Sequence, residues 1–282
     1  MNRTMITATN TMSQLQLKMD LIGNNLANVS ATGYKSKEGT FSDLLVQQFN
    51  NQHNAGEEIG RLTPEGIRQG TGAKLGLVKL SLTQGSLKST ERDLDVALTK
   101  PDLFFKIFTT DASGTTDLQF TRDGAFYLSP SADEANQLDL VTSSGAQVLD
   151  QWNRPISIVG DVSSISITEE GVLVVATSDG QEQAFDLGVI SVQNPQYLES
   201  KGGNLFSLSN NVNAGVMPEE IYTDLIGGLR ENISMQQGHL ESSNVDMSKE
   251  MTDLITAQRL YQFQARSVTI ADQMLGLVNG LR

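Results

Sequence analysis

Two heptad rows, one near each end of the chain, set the strongest limit on how it can fold. Met5, Met12, Met19 and Leu26 recur every seven residues, and Ala8, Leu15, Ile22 and Val29 follow each of them by three. Toward the other end Met247, Leu254, Tyr261, Val268 and Leu275 form a second seven-residue row. A narrow apolar seam cannot be buried by one helix in water; it needs a partner helix. The spacing predicts a helix over 4–29 with Thr4 as its N-cap. It predicts another over 244–281, capped by Ser243 or Asn244 with Asp246 in the first turn. The simplest partner of each is the other, or the same segment in a neighbouring copy. The remaining face of the first helix is Thr, Asn, Gln and Ser rather than Lys and Glu, which suits burial against further helices. Gly23 weakens that helix by about 1 kcal/mol relative to Ala, and close approach of another backbone would account for it.

Between the ends the period changes. Residues 36–72 read as a connector, with Phe41, Leu44, Leu45 and Phe49 at the spacing of one short amphipathic helix and a long loop from Asn50 to Gly72 holding His53 and Pro64. From Lys74 apolar residues alternate, as in Leu75, Leu77, Leu80 and Leu82 and in Leu94, Val96 and Leu98. Phe104–Phe108 is a buried-strand candidate. Asp123-Gly124 between aromatic flanks, Gly145 and Asp179-Gly180 read as hairpin turns. Residues 211–239, with Pro218 and Gly227-Gly228, form a return connector. The fold class is therefore α+β: long N- and C-terminal helices pairing as a coiled coil around a central all-β domain of short antiparallel strands. The domain boundaries are 1–35, 36–72, 73–210, 211–239 and 240–282.

Charge and chemistry exclude several functions. The net charge is −13. Residues 1–35 carry Arg3, Lys18 and Lys35 against Asp20, and residues 240–282 carry four cations against five acids, so the acid load lies almost wholly in the body. An acidic body argues against nucleic-acid binding, which needs a basic face. With no cysteine and two histidines, His53 and His239, the chain offers no thiolate chemistry and no histidine-rich metal site. It has no phosphate-binding glycine loop, no zinc-protease helix and no serine elbow. The acid pairs Glu57-Glu58, Asp93 with Asp95, Glu169-Glu170 and Glu219-Glu220 read as solvated loop residues, although a cell-wall glycosidase would need two carboxylates. His239 reads as structural or solvated, and Trp152 as an aromatic packed on its turn. No cofactor is expected. No apolar run is long enough to span a membrane, and the polar start is unlike a secretory signal peptide.

Several stretches carry a resemblance. Ile22-Gly23-Asn24-Asn25-Leu26-Ala27-Asn28-Val29 followed by Gly33-Tyr34-Lys35 is similar to the N-terminal signature of the bacterial flagellar axial proteins, the rod and hook subunits. Thr90–Ala97, Phe104-Phe105, Thr121-Arg122-Asp123-Gly124-Ala125-Phe126, Val141–Gly145, Gly203–Phe206, Gly238–Asp246, Gln258–Tyr261 and Asp272–Leu275 resemble further parts of that family. The stretch Thr99–Leu103 departs from it where relatives carry a glycine-rich turn, and Gln264 stands where many carry asparagine. The short body is more like the distal-rod proteins than the hook protein.

What the resemblance implies is a structural, non-enzymatic subunit of the basal-body rod, adjoining the hook and self-assembling into a helical polymer that transmits torque. Its partners would be other rod and hook proteins and the type III export apparatus, with no nucleic acid and no membrane insertion. Its place would be outside the cytoplasmic membrane, reached without a cleaved signal peptide. The expected assembly interface is Met5, Met12, Leu15, Met19, Ile22, Gly23, Asn24, Asn25, Leu26, Asn28, Val29, Met247, Leu254, Tyr261, Val268 and Leu275. The alternatives are a hook or hook-junction subunit, a cell-wall-processing enzyme, or a coiled-coil adhesin.

Overall fold

The structure, a computed structural model, describes residues 2–43, 46–49, 67–70, 72–110, 116–131, 136–208 and 217–280. It is α+β, with a helix at each end and a central antiparallel β body. The helices are α1 (Asn2–Ala27), the single turn α2 (Pro218–Ile221) and α3 (Met247–Gly280). The chain divides into two units: Met1–Leu26, Lys37–Val78 and Met247–Arg282 form one, and Ala27–Ser36 with Lys79–Asp246 the other.

The first unit holds α1, α3 and two strand pairs. Lys37–Asp43 pairs with Ala73–Leu80, and Val46–Phe49 with Ile67–Gly70. The short helix expected over Phe41–Phe49 is thus replaced by strands. Helical spacing of four apolar residues cannot distinguish the two over so short a run, and Phe41 ends up 40% exposed beneath the Lys18 ammonium rather than buried. His53, Pro64 and most of the expected Asn50–Gly72 loop lie outside the described residues. Helix α1 already includes Thr4, so that residue is not its N-cap.

The second unit is built on a ten-stranded sheet whose central strand is Leu103–Thr110. That strand pairs antiparallel with Thr116–Thr121, Val189–Val192 and Gln147–Val148. It is buried on both faces, which explains consecutive phenylalanines. Phe105 packs edge-on against Phe126 at 5.1 Å in one core, while Phe104 meets Phe206 at 5.6 Å in a second. Fully burying such a side chain contributes about 1.5–3 kcal/mol. A three-stranded sheet (Val162–Ile167, Val172–Thr177, Glu182–Asp186) closes the larger core with Leu173 and Val175. Gly145 and Gly180, both at positive φ, turn hairpins as expected.

Asp123-Gly124 does not. Its flanking strands pair elsewhere, Thr116–Thr121 with Leu103–Thr110 and Phe126–Pro130 with Gln137–Thr142. Gly124 instead lets the chain cross against Val96, whose carbonyl oxygen would lie 1.8 Å from a Cβ there. Residues 217–237 of the expected return connector are folded into α2, a 3-10 turn (Gly227–Asn232) and the short strands Tyr222–Asp224 and Met235–Gln237. Trp152 is 60% exposed on its turn rather than packed.

Candidate functional site

Two features stand out, one in each unit. In the first unit the heptad rows are the inward faces of the helices. On α1, Ala8, Leu15, Ile22 and Asn25 are buried, while Met5, Met12, Met19 and Leu26 are half-buried. On α3, Glu250, Ala257 and Ala271 are buried and Leu254, Tyr261, Val268 and Leu275 half-buried, which completes the three-four spacing. Met247 lies off this row, 53% exposed. Hydrogen bonds join the helices: Gln16 Nε2 donates to Tyr261 Oη at 3.5 Å, and Asn25 Nδ2 to Glu250 Oε1 at 3.0 Å. As α1 advances its partners on α3 recede, so the two run in opposite directions. Gln14 and Lys18 of α1 also meet the strand pair, through Leu75 N at 2.8 Å and the Phe41 ring at 5.3 Å.

The outer faces differ. Those of α1 are polar apart from Ile6 and Leu17, and Thr9 and Thr11 return their hydroxyls to the carbonyls of Met5 and Thr7. Along α3 a second row, Leu260, Phe263, Ser267, Ile270, Met274 and Leu277, repeats the three-four spacing and is exposed throughout. Phe263 reaches 72% exposure. Part of it forms an apolar groove of about 340 Å³ between Phe263, Ile270 and Met274. Gly23, Asn24, Asn28 and Val29 complete the candidate interface. Gly23 and Asn24 are exposed and Asn28 and Val29 half-buried. Among the described residues no backbone approaches Gly23, where an added Cβ would meet nothing within 4 Å.

In the second unit, three segments that the sequence shows only as separate motifs converge on a buried ionic node. Glu241 Oε1 accepts from Lys35 Nζ at 2.8 Å and from Gly85 N at 2.8 Å; its Oε2 accepts from Arg122 Nε at 2.6 Å. Lys35 and Arg122 side chains are 0% exposed and Glu241 2%. Further donors of both cations reach backbone carbonyls. Arg122 reaches the carbonyls of Lys100, Pro101 and Leu103, and Lys35 that of Thr83. The departing stretch Thr99–Leu103 thus supplies carbonyls to Arg122. Burial chiefly, aided by Arg122, lowers the Lys35 pKa from 10.5 to about 8, against the pull of Glu241.

Around the node Gly33, at φ +65, sits so close to Arg122 that a Cβ would lie 2.6 Å from its carbonyl carbon. Thr32 Oγ1 donates to Asp123 Oδ1 at 3.0 Å, and Asn244 binds Ser36 N through Oδ1 and the carbonyls of Ser81 and Thr83 through Nδ2. Asn244 is therefore a tether rather than the cap of α3, which begins three residues later. Burial raises the Asp123 pKa, opposed by its bonds from Ala125 N and Thr32. His239 Nδ1 lies 3.0 Å from the Gln237 carbonyl, a local structural role.

Two further buried cations escaped sequence reasoning. Lys106 binds Asp224 at 3.0 Å and Gln151 O at 3.1 Å, and Arg230 binds the carbonyls of Leu187, Glu170 and Gly171. A lone lysine inside Phe104-Phe105-Lys106-Ile107-Phe108 was the available signal for the first. Among the described residues no cluster of acids and histidines could hold a metal ion, and no helix is long and apolar enough to cross a membrane.

Comparison with known proteins finds three family matches. Residues 5–35 match "Flagella basal body rod protein", residues 102–175 "Flagellar hook protein FlgE/F/G D1 domain", and residues 236–281 "Flagellar basal body rod FlgEFG protein C-terminal". The flagellar hook-basal body complex protein FlhP of Bacillus subtilis is 46% identical over the full length of both chains. The flagellar basal-body rod protein FlgG of Borreliella burgdorferi is 34% identical over 100% of this chain and 99% of its own. That of Bacillus subtilis is 32% identical over 98% and 97%.

Proposed function

The chain belongs to the flagellar basal-body rod protein family, a structural family and not an enzymatic one, and from that premise we propose that it polymerises through its terminal helices as a subunit of the distal rod, next to the hook. In this reading α1 and α3 pair within the subunit as an antiparallel coiled coil along Met5, Met12, Leu15, Met19, Ile22 and Leu26 on one side and Leu254, Tyr261, Val268 and Leu275 on the other. Gly23, Asn24, Asn28, Val29 and Met247 then remain for neighbours. Residues 1–35 and 240–282 form the assembly domain, and the acidic body between them faces its lateral neighbours. Heterologous contacts that do not close generate a helical filament able to carry torque. The protein works outside the cytoplasmic membrane among other rod and hook proteins and reaches it through type III export, with no role for nucleic acid.

One observation carries the polymer reading: the second apolar row of α3 is exposed over its whole length. With the first row occupied inside the subunit, Leu260, Phe263, Ile270, Met274 and Leu277 form an apolar stripe that marks an interaction surface. The 46% identity to a hook-basal body complex protein favours a hook-junction position as the second reading.

The test is polymerisation of the purified chain, followed by sedimentation and electron microscopy. Phe263→Glu with Ile270→Glu should abolish filaments while leaving the body folded. Assembly of that variant at the unaltered rate would overturn the proposed interface. Normal swimming and complete basal bodies in a deletion strain would overturn the rod reading.

A further inference from the structure

Within the apolar seam of α1 one side chain is out of character. Asn25 is completely buried, and its amide is used in three directions. Oδ1 accepts from Lys37 N at 3.0 Å, and Nδ2 donates to Lys37 O at 2.9 Å and to Glu250 Oε1 at 3.0 Å. A short side chain carrying both a double donor and an acceptor can do this; Asp and Leu cannot. Glu250 in turn occupies a seam position in the first turn of α3 and is 8% exposed. Burial raises its pKa, against the bond from Asn25 that favours the ionised form. Lys249, beside it, is paired outward to Glu38 at 3.0 Å.

Resting on the reading that α1 and α3 pair, we infer that Asn25 and Glu250 fix the register of that pairing. A heptad seam by itself tolerates a slip of seven residues, because apolar residues meet apolar residues again. Here the slip has a cost. The observed pairs, Asn25 with Glu250 and Gln16 with Tyr261, define the antiparallel register. Sliding α3 one heptad along α1 moves the Glu250 carboxylate from Asn25 to the level of Lys18, or past the end of α1 in the other direction, and either slip takes the carboxylate acceptor away from the Asn25 amide. A buried polar group without its partner is far more costly than the partnered one is favourable. The three methionines of the α1 seam are adaptable and would otherwise accept several packings. Asn25 also fixes the start of the strand Lys37–Asp43 to the same point, so one residue sets the register of the helix and of the strand beside it.

The chain has no cysteine, so introduced pairs can be read cleanly. Gln16→Cys is combined in the full chain with Tyr261→Cys for the observed register, and with Leu254→Cys or Val268→Cys for one heptad either way. A short bis-maleimide is applied at low protein concentration, and intrachain products are mapped by mass spectrometry. The observed-register product should exceed the slipped ones by at least about tenfold, the ratio that a 1.4 kcal/mol preference gives. In Asn25→Leu/Glu250→Leu the three yields should become comparable. In Glu250→Gln, which keeps an acceptor for Asn25, the preference should return. Amide-exchange protection of Leu103–Thr110 verifies that the β body stays folded in each. If the double leucine variant keeps the observed register alone, the register role is refuted and the pairing stands. If no pair yields an intrachain product in the unaltered background, the helix pairing itself is refuted.

Discussion

Lys35 and Glu241 lie 206 residues apart in sequence, yet they meet at 2.8 Å with both side chains sealed from solvent. Arg122 completes the group on the other carboxylate oxygen. Two buried cations therefore depend on one acid. Breaking a buried ion pair by removing one partner costs about 3–5 kcal/mol, because the other charge is left uncompensated. Glu241→Gln strands two charges, whereas Lys35→Met leaves the Arg122–Glu241 pair neutral. Urea unfolding should show the larger loss of stability for Glu241→Gln. Equal losses for the two variants would mean that the charge balance of the node does not matter.

The same node predicts a pH dependence whose sign can be worked out. Lys35 has a folded pKa of about 8 against an ordinary 10.5. Between those values the unfolded chain holds a proton that the folded chain has released, so stability contributed by this group rises with pH across that window. It is fully present above the unfolded pKa and is lost as pH falls through the folded one. Tyr222, whose pKa burial raises, acts in the opposite sense at higher pH. The measurement is therefore a difference: the stability gap between the unaltered chain and Lys35→Met should widen from pH 8 to pH 10 in favour of the lysine. A gap that does not change with pH would refute it.

Lys106 provides the contrast. It too is buried, at 1% exposure, but its partner Asp224 is 36% exposed. Once unpaired, Asp224 can hydrate. Methionine has a similar volume, and the large cost of breaking a buried pair comes from the uncompensated buried charge left behind, which a partner that reaches water is not. Lys106→Met should cost well under the loss from Glu241→Gln, about 1 kcal/mol or less. A loss as large as that of Glu241→Gln in the same urea titration would show that Asp224 is not rescued by solvent.

How much of this could be read from sequence depended on the range of the interaction. The rows Met5–Leu26 and Leu254–Leu275 were legible because a heptad is a local consequence of helix geometry. The α+β class, with a helix at each end of an antiparallel β body, and the hairpin turns at Gly145 and Gly180 were legible because they too rest on local periodicity and turn chemistry. Phe41–Phe49 was not, since its spacing fits either element and strand pairing with Ala73–Leu80 decided between them. Asp123-Gly124 reads as a hairpin because the dipeptide reports a turn but not the destination of the strands it joins. The node was invisible as a node. Tyr34-Lys35, Thr121-Arg122 and Leu240-Glu241 each stood in a separate motif, and only tertiary packing brings their charges together. The row at Leu260, Phe263, Ile270 and Leu277 was present in the sequence, masked by the neighbouring row one residue away, which lies about 100° around the helix.

The glycines separate packing within the subunit from packing between subunits. Gly33→Ala should be severely destabilising, because φ is +65 and the new Cβ would lie 2.6 Å from the backbone of Arg122 and Asp123. Gly85→Ala should be as damaging, with Ser242 O at 1.9 Å. Gly23→Ala should do the reverse in the isolated chain. The position is inside α1, its surroundings are open, and Gly in a helix costs about 1 kcal/mol relative to Ala. If Gly23 exists for the close approach of a neighbouring subunit, the added methyl group must then slow or block polymerisation while raising the melting temperature of the monomer. Measuring both on one variant decides the matter: faster or unchanged assembly of a stabilised Gly23→Ala chain would remove Gly23 from the interface.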